Sequence, residues 1–210
     1  KYTAYALLGK VLLYQDKFNE AASALDNVIG VYSLVSDYGS QFLRFGENGP
    51  ESVFEIQYSN QSNWYDWGCA HCSEGNYAII MNGPRGWSGP EYAQGWSFNV
   101  PTAEFYNSFE EGDSRRDATV LDIEAFATAT GSSYTEGYNH TGYFNNKYIP
   151  RAGESGGQTE LNYLTNFRII RYSDVLLMAA EAYNRGGIDD GLAQEFLNQV
   201  RRRAFASDDN

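Results

Sequence analysis

Apolar positions recur at helical spacing at the two ends of the chain, and the long middle loses that period. From Tyr2 to Gly30 the pattern predicts two antiparallel helices, with a turn over residues 15–19 and Gly30 as the stop of the second. Tyr5, Leu8, Gly9 and Leu12 on the first helix and Ala21, Leu25 and Val28 on the second fit a tetratricopeptide-like hairpin. The small residues Gly9 and Ala21 allow close approach of the two. A related pair closes the chain, where Ala180 and Tyr183 are followed by Ala193, Phe196 and Val200. Such hairpins bury their faces only by stacking on neighbours. Two of them so far apart predict either further hairpins outside this chain or a middle segment folded against them. The expected fold is therefore mainly α: a tetratricopeptide-like helical hairpin scaffold (α-α superhelix), with hairpins over 1–50 and 167–205, long irregular loops and a few short strands.

The middle has its own grammar. Residues 52–58 alternate as a short strand with Phe54, Ile56 and Tyr58 on one face. Residues 59–99 mix Gly, Asn and Ser without a period and read as a long excursion. Ordered loops of that length are usually functional. Residues 100–109 predict an N-capped helix that runs into Gly112-Asp113-Ser114-Arg115-Arg116-Asp117, and residues 131–166 form a second excursion rich in Gly, Tyr and Asn. The opening residues already read as helix interior, without a start or a signal-like run, so the chain is expected to begin mid-protein.

Composition narrows the function classes. A net charge of −12, from 27 acidic and 15 basic residues, repels phosphate backbones, and no basic stripe offsets it. The apolar run near 175–180 is far shorter than the roughly 20 residues of a membrane-spanning helix. Aromatics make up 16% of the chain and 17 of them are tyrosines, a side chain that serves a wet contact surface as well as a core.

Candidate chemistry gathers in the first excursion. All four tryptophans, Trp64, Trp67, Trp87 and Trp96, lie there with Tyr65, Tyr77 and Tyr92, beside Gly, Pro, Asn and Ser. A pyranose offers C–H groups on its faces and hydroxyls on its rim, so flat rings with a few hydrogen-bonding side chains complement it. Trp64, Tyr65, Trp67, Trp87, Tyr92 and Trp96 are the candidate rings. Asn63, Asp66 and Arg85 are the candidate hydroxyl partners, the acid accepting and the guanidinium donating in pairs. The competing reading is that these tryptophans pin a long loop onto the helices.

Cys69 and Cys72 flank Ala70 and His71 in a loop composition. A redox pair belongs at a helix start, and a zinc site needs four ligands where only His71 and the distant His140 remain. A loop disulfide or two free thiols fit better than either, and no cofactor is implied. Glu110, Glu111, Asp113 and Asp117 supply carboxylates for glycoside hydrolysis, but Arg115 and Arg116 lie among them, as in an ion-paired structural loop. No nucleophile motif of the Gly-x-Ser-x-Gly type is present.

Taken in order, these segments resemble the SusD/RagB family, the surface glycan-binding lipoproteins of Bacteroidetes-type bacteria. The resemblance rests on residues 5–14 with Ala21-Ala22 and Val28-Ile29, on residues 51–59 around Phe54-Glu55-Ile56-Gln57, and on residues 111–116. It continues through residues 170–182, which open on Ile170-Arg171-Tyr172-Ser173-Asp174, and residues 197–204. It implies a helical-repeat scaffold with sugar-stacking aromatics in loops after the Phe-Glu-Ile-Gln strand. It also implies tethering to the outer membrane by a lipidated cysteine outside this chain, and docking on a TonB-dependent transporter. The function expected is non-catalytic binding of an oligosaccharide or polysaccharide and its delivery to that transporter. The alternative is a protein-interaction scaffold without a sugar site.

Overall fold

The structure, a computed structural model, describes residues 1–61, 67–155 and 161–205. In chain order its elements are α1 (Tyr2–Leu13), α2 (Phe18–Leu25), β1 (Ser52–Ile56), α3 (Ala78–Met81), β2 (Arg85–Ser88), α4 (Ala103–Asn107) and α5 (Arg115–Thr119). They continue with β3 (Val120–Asp122), α6 (Ile123–Thr130), β4 (Ser133–Thr135), β5 (Tyr143–Asn145), β6 (Phe167–Arg171), α7 (Tyr172–Arg185) and α8 (Asp190–Phe205). The strands pair in twos, β1 with β6, β2 with β4 and β3 with β5. The chain divides into a helical unit, residues 1–41, 46–56 and from 168 on, and a loop unit, residues 42–45 and 57–167.

In the helical unit the two hairpins are spatial neighbours. α1 packs on α2, α2 on α7 and α7 on α8, so hairpins far apart in sequence stack directly and supply each other's missing face. Ala21, Leu25 and Val28 are buried as the spacing predicts, together with Val175, Leu176, Ala179, Phe196 and Val200. Each fully buried aliphatic side chain here stabilises by about 1.5–3 kcal/mol relative to an exposed one. On α1 the buried stripe is Ala6, Gly9 and Leu13, whereas Leu8 is half out with Leu7, Val11 and Tyr14. The reason is contact distance: a Cβ at Gly9 would stand 2.6 Å from the Leu25 side chain, so the small residues of α1 face α2. α2 ends at Leu25, and irregular turns carry the chain on to Gly30 at φ +78°.

In the sheet of this unit Phe54 and Ile56 share a face as expected, and it is the more exposed one. β1 alternates, with Val53 and Glu55 buried on the other face. Glu55 is held by the backbone N–H of Asn48 at 3.2 Å and lies 3.5 Å from the guanidinium of Arg168. Glu51, 2% exposed, accepts from Arg203 Nη1 at 2.9 Å and from the Val35 N–H at 3.1 Å. Asp174 holds the start of α7, its Oδ2 accepting from the Arg171 N–H at 2.8 Å.

The loop unit is built on aromatic clusters and side chain-to-backbone hydrogen bonds. Tyr92, Leu121, Ile123, Phe144 and Ile149 form one cluster, and Ile79, Ile80 and Tyr163 another. α4 starts as predicted, Thr102 Oγ1 accepting from the Phe105 N–H at 3.2 Å. Among the described residues no helix is long and apolar enough to cross a membrane.

Candidate functional site

The first excursion closes at its base, where the Ser59 N–H donates to the Glu74 carbonyl at 3.0 Å. Between them Cys69 and Cys72 are joined by a disulfide within the 3-10 turn Trp67–Cys72. Asn63, Trp64, Tyr65 and Asp66 lie outside the described residues, as does the side chain of Trp67. The other sequence candidates, Arg85, Trp87, Tyr92 and Trp96, fall into two groups with different fates.

Tyr92 belongs to the interior, and Trp87 packs half-buried against it. Tyr92 is 5% exposed; its hydroxyl donates to Asn146 Oδ1 at 3.2 Å, and the Arg151 guanidinium lies over its ring at 5.3 Å. Burial pushes its hydroxyl above the usual tyrosine range, partly offset by Arg151. The indole of Trp87 sits 5.9 Å from Tyr92 and 5.9 Å from Phe126, and its Nε1–H is buried without an acceptor among the described residues. The expectation that Tyr92 stands open as a platform is therefore corrected, while Trp87 keeps part of its surface exposed. Tyr92 bridges to Arg151 across the backbone, which turns its side chain onto the cluster beneath β3 and β5, and Trp87 follows it. For this pair the pinning reading applies.

Arg85 and Trp96 are brought together at the surface. The segment after Tyr92 folds back over α3 and the turn into β2: Gly95 N–H donates to the Pro84 carbonyl at 2.8 Å, and Trp96 N–H to Ile80 at 2.9 Å. Ser97 N–H donates to Gly83 at 2.9 Å and Phe98 N–H to Met81 at 2.9 Å. Close approach demands glycine at 95, since a Cβ there would stand 1.8 Å from the Asn82 carbonyl oxygen. Ser97 and Asn99 adopt positive φ, +58° and +51°, a costly backbone for residues other than glycine. Asn82 locks the turn from below, donating to Tyr148 O at 2.7 Å and to Ala78 O at 3.2 Å.

The result is a ledge. Trp96 is half-buried against Ile79, Ile80 and Tyr163, and Phe98 meets it edge-on at 6.2 Å while remaining 52% exposed. The Arg85 Nε–H donates to the Trp96 carbonyl at 2.7 Å, and its guanidinium lies 5.6 Å from the centre of the Phe98 ring. Its two terminal nitrogens make no hydrogen bond among the described residues. A ring with an apolar face thus sits next to a fixed, always-charged fork of donors. Phe98 was not among the sequence candidates, because attention there rests on Trp and Tyr. The Trp-Ser-Phe alternation at 96–98 is the signal that points to it.

Of the candidate carboxylates, Asp113 and Asp117 are engaged by arginines. Arg115 grips both oxygens of Asp113, with Nη2 2.6 Å and Nε 2.9 Å away, and Arg116 Nε lies 2.9 Å from Asp117. A hollow of about 620 Å³ lies in the helical unit, lined by Leu13, Tyr14, Ile170, Leu177 and Met178, with Arg185 and Glu181 paired at its edge.

Among known proteins, the model of the SusD family matches residues 50–209. The chain belongs to the SusD family. The SusD-like protein P2 of Formosa agariphila is 30% identical over 97% of the chain and 41% of its own length. Of solved SusD-family structures, a laminarin-binding SusD-like protein is 39% identical with a TM-score of 0.85, over 97% of this chain and 47% of that one. Surface glycan-binding protein A of Bacteroides thetaiotaomicron, solved with laminarihexaose, is 32% identical with a TM-score of 0.87, over 97% and 47%. The chain thus spans less than half the length of these SusD relatives.

Proposed function

We propose that the loop unit grips an oligosaccharide without cleaving it, and that the protein serves as the surface glycan-binding component of an uptake system that passes its cargo to a TonB-dependent transporter. The observation that carries this reading is the ledge itself, an exposed Phe98 ring beside Trp96 with the donor fork of Arg85 fixed over it. Such a surface matches the face and rim of a sugar. Supporting it, relatives over almost the whole chain are named for laminarin binding or were solved with laminarihexaose, which makes laminarin the first glycan to test. Attachment to the outer membrane by a lipid anchor outside this chain follows from the same family reading. Absence of catalysis accords with Asp113 and Asp117 being tied to arginines. Asn63, Trp64, Tyr65, Asp66 and Trp67 remain proposed contacts from the sequence, and Trp96 and Arg85 are the proposed contacts on the ledge.

Stacking of one or two rings, each contributing about 1 kcal/mol beyond burial and offset by ordering costs, predicts a dissociation constant roughly between micromolar and millimolar. Isothermal titration with laminarin and laminarihexaose tests this. Phe98→Ala and Arg85→Ala should each weaken binding by roughly three- to tenfold, with no reducing ends released from the glycan. No binding by the folded protein to any member of a polysaccharide panel would sink the proposal.

One observation favours a second reading. The hollow beside the exposed Tyr14, with Leu177 and Met178 among its lining and Lys10, Asp16 and Asp174 charged within it, suits an amphipathic peptide segment, as in a protein-interaction scaffold. That reading gains if alanine at Trp96 and Phe98 leaves every measured interaction intact.

A further inference from the structure

The second excursion meets the ledge at Ser97 as well as beneath Trp96. Gly137 packs so closely on Ser97 that a Cβ added to it would stand 2.7 Å from the Ser97 Cβ. Arg85 is also paired across the sheet with Thr135, two residues earlier. Directly after Gly137 comes Tyr138, the most exposed large hydrophobic side chain among the described residues at 91%. It makes no hydrogen bond or ring contact among them. Its neighbour across the joint is Phe98, one residue past Ser97. Adding the bond lengths places the two Cα atoms at most about 13 Å apart.

The exposure of Tyr138 is held in place. The His140 N–H closes a turn on the Gly137 carbonyl at 3.2 Å, with Asn139 at φ +57°, so Tyr138 occupies the first corner of a tight turn. Behind the turn the His140 ring rests 5.5 Å from Tyr134 and 6.1 Å from Phe144, and its Nε2 lies 3.3 Å from the Tyr134 hydroxyl. Phe144 is fully buried. A lone exposed tyrosine needs no explanation. One fixed on an anchored turn, one residue from the Gly137–Ser97 joint, lies beside a patch that already has a proposed ligand.

We propose that Tyr138 supplies a second stacking face for the bound glycan, taking a sugar unit beyond the one on Trp96 and Phe98, with the Asn139 carboxamide available to its hydroxyls. The inference rests on the glycan-binding reading of the ledge and deepens it: the site selects for chain length, because a short oligosaccharide fills the ledge alone and a longer one spans the Ser97–Gly137 joint. Only a ring of tyrosine size and flatness is required there, so Tyr138→Phe should behave as the native protein.

The test is titration of this chain and its variants with laminarin oligosaccharides of two and of six units. Tyr138→Ala should lose about three- to tenfold in affinity for the six-unit sugar and less than about twofold for the two-unit one. Tyr138→Phe should restore the difference, and Phe98→Ala should weaken both sugars. If Tyr138→Ala binds the six-unit sugar as the native chain does while Phe98→Ala is impaired, the second face is refuted and the ledge stands. Equal losses for both lengths would place Tyr138 on the ledge itself and refute the length selection. If the native chain binds neither sugar nor any other glycan of the panel, the reading of the ledge fails first and the inference falls with it.

Discussion

The helical unit and the loop unit solve the same problem, covering apolar surface while satisfying the backbone, by different means. In the first, helices satisfy their own peptide groups, so packing is free to be apolar: Ala6, Leu25, Val28, Val175 and Leu176 interlock with little polar help. In the second, regular elements are too short for that. Asn76 donates to the Thr165 carbonyl, Asn82 to Ala78 and Tyr148, and Asn146 to Asp117, each side chain standing in for a missing ladder. Apolar cover comes from large rings meeting edge to face, as Trp87, Tyr92 and Phe126 do. A backbone held at points rather than along lines can leave Trp96 and Phe98 at the surface in a fixed pose, which a helix face in a stacked repeat does not do.

The largest expected break of this contrast is in the helical unit. Arg203→Met leaves the 2%-exposed Glu51 without its closest cation, with Arg171 Nη1 still 3.9 Å away, and should cost about 3–5 kcal/mol in urea unfolding. Glycan affinity per folded molecule should not change. Next comes Gly95→Ala, whose Cβ meets a backbone oxygen that cannot step aside. It should cost roughly 1–3 kcal/mol and abolish glycan binding while leaving the helical circular dichroism intact. Its counterpart, Gly9→Ala, meets only the Leu25 side chain and gains about 1 kcal/mol of helix propensity. A net loss below about 2 kcal/mol, with binding unaffected, is expected from the same measurements. A larger loss at Gly9 than at Gly95 would reverse the comparison.

The smallest effect is at high pH. Burial, and then the hydrogen bond to Asp26 at 2.8 Å, push the Tyr183 hydroxyl up to about 12. A raised tyrosine favours the neutral form in the folded state. Its contribution is therefore complete below the ordinary tyrosine value near 10 and is lost as pH rises through about 12. Tyr183→Phe should flatten the decline in stability between those values, read as the urea midpoint against pH. An unchanged slope would remove Tyr183 from the account.

The chemistry of the ends was legible because it is local. Helical period and small residues at the hairpin contact depend on neighbours within a turn or two, and the structure places Ala21, Leu25 and Val28 inside as their spacing requires. The tryptophan-rich excursion was legible as a region but not ring by ring. Trp87 and Trp96 have the same glycine-rich surroundings in sequence, yet one ring is committed to Tyr92 and Phe126 and the other to a surface ledge. The same limit explains β1, where alternation was right but the buried face turned out to be the one carrying Glu55, whose cation, Arg168, lies more than a hundred positions away.

By itself, then, the amino-acid order determined the helical hairpins, the family and the place where aromatic side chains crowd, since these follow from period, spacing and composition. Only the tertiary structure decided that the two hairpins stack on each other through α2 and α7, that Tyr92 is core while Phe98 is surface, and that Tyr138 arrives beside Ser97 from another loop. The physical reason is the same in each case: whether a ring faces water is set by which distant segment closes over it, and no local pattern encodes that contact.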